Sequence, residues 1–153
     1  MTELADKRAV YRCERIVTPS GIRNGYVVVE NGRIADITQD RMSEFIDCGS
    51  DIMIPGIFDT HNHACFGYSP DGKTAEEIRI RTKKYLKGLA AFGVTSVFPT
   101  LFATKPDQES LDSIAVLAEF VGKGQDGASP LGIHFEGPFL NRTGEHSARY
   151  QPD

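Results

Sequence analysis

The rhythm of apolar and polar positions changes near residue 52. Before that point, apolar residues fall in short β-type runs broken by turn residues. Val10 to Val17 mixes apolar and polar positions and ends at Thr18-Pro19-Ser20-Gly21, a turn cluster. Gly25-Tyr26-Val27-Val28-Val29-Glu30 is rich in β-branched residues and predicts a strand. Arg33-Ile34-Ala35-Asp36-Ile37 resumes the strand pattern after Asn31-Gly32. Asn-Gly between two such runs is the strongest short-range hairpin signal, because the tight turn needs positive φ at both residues. A further short strand is expected from Glu44 to Asp47.

After residue 52 strands alternate with helices. Ile52-Met53-Ile54-Pro55-Gly56-Ile57-Phe58 reads as a short buried strand. Thr74-Ala75-Glu76-Glu77 is a capping box, so a helix should start there. Its apolar face is Ile78, Tyr85, Leu89 and Phe92, and Gly93 should stop it. Val94 to Leu101 is a second buried strand. Thr104-Lys105-Pro106-Asp107 should open a second helix, with Leu111, Ile114, Ala115, Ala118 and Val121 on one face. A loop over 122–130 leads to a third strand, Leu131 to Glu136. Strand, helix, strand, helix, strand is the βαβ pattern of a parallel sheet. The expected organisation is therefore α/β: a β module over 1–52, then the opening of an α/β domain over 53–153.

Composition adds little and excludes some functions. Apolar residues make up 40% and charged residues 25%, and the net charge is −4, which gives no reason to expect nucleic acid or an anionic membrane as partner. The N-terminus lacks the apolar core of a signal peptide, and no apolar run approaches the roughly 18 residues of a membrane span. Cys13, Cys48 and Cys65 are odd in number and widely spaced, which points to a reducing, cytoplasmic setting.

The candidate chemistry sits at strand ends. His61-Asn62-His63 follows the first α/β strand. Residues i and i+2 of a strand share a side, so the two imidazoles could meet one cation at the end where α/β barrels place active sites. They could equally be two polar loop histidines. Glu136 ends the third strand in His134-Phe135-Glu136-Gly137-Pro138-Phe139, either as a metal ligand or as a solvated carboxylate. His134 should share its face, as a core histidine or as a partner to the ligands. His146 lies beyond it in Gly144-Glu145-His146. Asp59 and Thr60 read as cap or turn residues.

Taken together, four stretches resemble the amidohydrolase superfamily and, within it, the N-acetylglucosamine-6-phosphate deacetylases. They are Ile54 to His63, Gly93 to Thr100, Gly132 to Asn141, and Gly144-Glu145-His146. The first recurs across amidohydrolases; His-Phe-Glu-Gly-Pro-Phe is much more specific to the deacetylases. The resemblance implies the first three βα units of a TIM-like (β/α)8 barrel, preceded by strands of a small β-sandwich. It implies Glu136 as principal ligand of the catalytic metal, His61 and His63 at a second metal position, and His146 and Glu145 as substrate contacts. The metal would be a divalent ion, Zn²⁺ first, with Fe, Co, Ni or Mn as alternatives. The substrate would be a small amino-sugar phosphate, and the full-length parent would be a homo-oligomer.

A full barrel needs about 250 residues. In the family it resembles, two further histidine ligands and the catalytic aspartate lie on later strands, so the resemblance implies them beyond Asp153, in a truncated chain that is inactive alone. Two alternatives stand beside this: a dihydroorotase-like or deaminase-like amidohydrolase, and a non-catalytic remnant that binds a partner through its unfinished sheet edge.

Overall fold

The computed structural model describes residues 8–102, 108–123 and 126–137. Backbone contacts divide the chain into two units, Met1–Pro55 and Gly56–Asp153. No described helix is long and apolar enough to cross a membrane.

In the first unit β1 (Arg8–Thr18), β2 (Gly21–Glu30) and β3 (Arg33–Thr38) form an antiparallel meander. The hairpin expected at Asn31-Gly32 is present, with φ of 52° and 72° at the two residues. Two short strands, β4 (Ile46–Asp47) and β5 (Ile52–Met53), add in parallel to β1. All five strands belong to one sheet, so a single layer of the expected sandwich lies among the described residues. Cys13, Ile16 and Val27 form its buried cluster, with Val29, Cys48 and Met53 packed against them.

The second unit runs β6 (Ile57–Asn62), α1 (Ala75–Ala90), β7 (Val94–Phe102), α2 (Gln108–Ala118), β8 (Ser129–Pro130) and β9 (His134–Glu136). β7 is central; β6 pairs with it in parallel on one side, and β8 and then β9 on the other. The helix α1 starts at Thr74, whose hydroxyl accepts from the Glu77 N–H at 3.2 Å. Glu77 reaches back to the N–H of Lys73, one residue before the cap. Ile78, Tyr85, Leu86 and Leu89 of α1 pack with Val94 and Val97 of β7 and with Val116 and Phe120. Each fully buried aliphatic side chain contributes about 1.5–3 kcal/mol of transfer free energy.

Four expectations need correction. The run 52–58 is not one buried strand: Pro55 lacks an N–H and breaks it, β5 and β6 belong to different sheets, and Ile52, Ile54, Ile57 and Phe58 are exposed. Phe92 lies beyond the end of α1 and is exposed. The buried stripe of α2 continues past its end as Ser113, Val116, Leu117 and Phe120, not as the stripe through Leu111, which is exposed. The helix is apolar around most of its second half, so periodicity alone did not choose the face; packing against α1 and β7 did. The start expected at 104–107 lies outside the described residues. Finally, the third strand begins earlier and is interrupted. Val97 pairs with Pro130 and Thr100 with His134, so one extra residue is accommodated between β8 and β9, a bulge-like offset.

Candidate metal centre

His61 is the penultimate residue of β6, His63 follows the strand, and Glu136 is the last residue of β9. The parallel sheet therefore brings all three to the C-terminal ends of its strands. His61 Nε2 lies 3.1 Å from His63 Nε2 and 3.5 Å from Glu136 Oε2, while His63 Nε2 lies 3.1 Å from the same oxygen. One ligand atom from each falls within 4.8 Å of the other two. The glutamate is the most enclosed, its side chain 19% exposed against 51% and 35% for His61 and His63.

The donor set fits a divalent cation. Glu136 Oε2 is buried and accepts no hydrogen bond from the described residues. A single imidazole proton could bridge only one pair of these three atoms, whereas a cation at their centre would satisfy two nitrogen lone pairs and a carboxylate together. Imidazole plus carboxylate suits Zn²⁺ and its transition-metal neighbours without sharp discrimination.

The segment carrying the histidines is held from four sides. Asp59 accepts from the His61 N–H through Oδ1 at 3.2 Å and from the Asn62 side-chain amide through Oδ2 at 2.8 Å. The expected turn role of Asp59 is thus part of a larger clamp. Thr100 Oγ1 accepts from the Asn62 N–H at 3.1 Å. The Tyr85 hydroxyl donates to the Asn62 carbonyl at 3.2 Å. Burial, first, and the nearby Asp59 charge raise the Tyr85 pKa well above the usual phenol range, so this donor keeps its proton. Phe102 stacks on His63 with ring centroids 4.2 Å apart and planes at 11°.

His134 lies against the cluster without being one of its three members. Its ring tilts over His61 at 4.8 Å, and its Nδ1 is 3.1 Å from Thr100 Oγ1. The loop after His63 is also compact. Cys65 and Tyr68 exchange backbone hydrogen bonds around Phe66-Gly67, where both φ values are positive. Gly88 of α1 gives this loop room: a Cβ there would come within 2.9 Å of the Phe66 ring. Tyr85 and Phe102 carry no sequence signal of a site role, and Thr100 only its place at the end of the family-like Gly93 to Thr100 stretch; their place beside the histidines reveals the role. Glu145 and His146 lie outside the described residues.

The second unit is thus an α/β fold whose parallel sheet gathers ligand-type side chains at its strand ends. The chain is a relative of the N-acetylglucosamine-6-phosphate deacetylases. It is 31% identical over 137 residues to the protein of that name from Caenorhabditis elegans, covering 82% of this chain and 32% of the relative. The fold matches the crystal structure of the Pasteurella multocida deacetylase with a TM-score of 0.68 at 24% identity, over 94% of this chain and 38% of that one. It also matches, with a TM-score of 0.70 at 23% identity, a Mycobacterium smegmatis deacetylase variant in complex with N-acetyl-D-glucosamine-6-phosphate, over 97% of this chain and 38% of that one. The chain spans about a third of the length of the curated relatives it matches. No protein-family model matches it.

Proposed function

We propose that the intact protein is a metal-dependent hydrolase that removes the acetyl group from N-acetylglucosamine 6-phosphate, releasing acetate and glucosamine 6-phosphate. The observation that carries this reading is the convergence of His61, His63 and Glu136 from two strands of one parallel sheet, in a chain related to deacetylases. On this reading residues 1–52 are part of a β-sandwich and 53–153 open a TIM-like barrel.

Glu136, His61 and His63 would hold the divalent ion, with zinc the first candidate and iron, cobalt, nickel or manganese compatible with the same donors. When bound, such an ion polarises an amide carbonyl and lowers the pKa of water. The chain's own residues orient the site. Asp59, Thr100 and Tyr85 fix the backbone between the two histidines, and Phe102 holds the His63 ring against rotation. His146 and Glu145 would contact the amino-sugar phosphate.

The test is acetate release from N-acetylglucosamine 6-phosphate by the intact protein, before and after chelation and zinc replacement. Metal-dependent release is expected from the intact protein. A metal-loaded intact protein that leaves this substrate untouched would overturn the reading.

A further inference from the structure

Thr100 occupies an unusual place in this sheet. It lies on β7, the strand between the one that brings the histidine pair and the one that brings Glu136. It is 2% exposed, and its hydroxyl meets both neighbours. On one side Oγ1 accepts from the Asn62 N–H at 3.1 Å, between His61 and His63. On the other it is 3.1 Å from Nδ1 of His134, two residues before Glu136. A third contact runs within its own strand to the Phe98 carbonyl at 3.4 Å.

A hydroxyl has one proton and two acceptor lone pairs. The Asn62 N–H can only donate and the Phe98 carbonyl can only accept. The arrangement that satisfies every atom has Asn62 N–H and His134 Nδ1–H donating to Oγ1, while the hydroxyl proton goes to Phe98. All three bonds then use the hydroxyl to capacity. Valine has nearly the same shape and can make none of them; serine can make all of them.

We propose that Thr100 is a positioning residue that holds the two ligand-bearing strands in register at their C-terminal ends. It does so through Asn62 on one side and His134, whose ring lies over His61, on the other. This deepens the metal-centre reading and rests on it. Loss of a group bonded directly to a metal ligand typically lowers metal affinity by about 10–100-fold; Thr100 acts through Asn62 and His134, one step removed from the ligands, so the lower end of that range applies.

The experiment compares Thr100→Val, Thr100→Ser and Val116→Ala in the intact protein. Val116 lies in the same buried core cluster as Tyr85, but its aliphatic side chain can make no hydrogen bond to the histidine segment, so its truncation controls for general destabilisation of that core. Two quantities are read: zinc affinity by competition with a chromophoric chelator, and hydrogen exchange of the Asn62 amide in the metal-free protein. For Thr100→Val, zinc affinity should fall by about tenfold and Asn62 exchange should quicken by roughly tenfold or more. Thr100→Ser should stay near wild type in both, and Val116→Ala should lower the melting temperature while leaving zinc affinity in place. Unchanged Asn62 protection in Thr100→Val overturns the proposal. So does a serine variant that fails with the valine one, or a Val116→Ala loss of affinity equal to that of Thr100→Val. Failure of the metal-centre reading shows separately, as zinc binding indifferent to Glu136→Gln; the amide exchange, which needs no metal, then decides the role of Thr100.

Discussion

Replacing Tyr85 by phenylalanine removes one oxygen from the centre of the second unit. Tyr85 is 0% exposed, and its ring packs in the cluster with Ile78, Leu86, Leu89 and Val97. The substitution keeps that packing and deletes the bond to the Asn62 carbonyl at 3.2 Å. A typical buried hydrogen bond contributes about 0.5–1.5 kcal/mol net, and leaving its acceptor unsatisfied costs about 1–3 kcal/mol. A loss of about 1–2 kcal/mol at pH 7 is therefore expected. That corresponds to roughly 2–8 °C in melting temperature for a chain of this size.

The pH dependence provides a second, independent check. Burial, aided by Asp59, raises the Tyr85 pKa above the value of about 10 that it has in the unfolded chain. A raised folded-state pKa means that the tyrosine's contribution is whole below pH ~10 and declines as pH rises toward the folded value, because the unfolded phenol ionises first. Phenylalanine does not ionise. The gap between wild type and Tyr85→Phe should be constant below pH ~9 and shrink by about 1.4 kcal/mol by pH ~11. Urea denaturation of both proteins across this range, with equal m-values, measures it. A gap near zero at pH 7, or one that stays constant through pH ~11, would refute the assigned bond and burial.

Three further outcomes are expected. Glu136→Gln should weaken zinc binding by more than the roughly 10–100-fold of a supporting residue, and by more than His61→Gln or His63→Asn, since Glu136 Oε2 approaches both imidazoles and carries the cluster's one formal negative charge; isothermal titration ranks them. Leu117→Ala should cost about 2–5 kcal/mol while Leu111→Ala stays within about 0.5 kcal/mol, as read by urea denaturation; the reverse order would restore the helix face that periodicity suggested. Arg79 holds Glu119 by two hydrogen bonds, first through the bond itself and then through its charge, and keeps its carboxyl below the usual range. The pair's contribution is thus present above pH ~4.3 and fades as pH falls through the lowered folded value, so any stability gap between wild type and Glu119→Gln should narrow on acidification below that point.

The sequence by itself determined what local physics controls. Asn31-Gly32 makes a tight turn because both residues tolerate positive φ, and both adopt it. Thr74 and Glu77 start α1 because their side chains supply partners to backbone N–H groups within a few residues. The candidate ligands His61, His63 and Glu136 were legible as residue types at strand ends. Their convergence was not, because it depends on β6 and β9 flanking β7 in parallel, and no local pattern specifies that pairing. The buried face of α2 was likewise open, since apolar residues surround much of the helix and only α1 and β7 select which of them lose water. Thr100 read only as the end of a strand that carries the family resemblance, and Tyr85 as an ordinary core residue. Tertiary structure alone gives them the Asn62 backbone as a partner, because a side-chain hydrogen bond between distant segments leaves no trace in the spacing of either one.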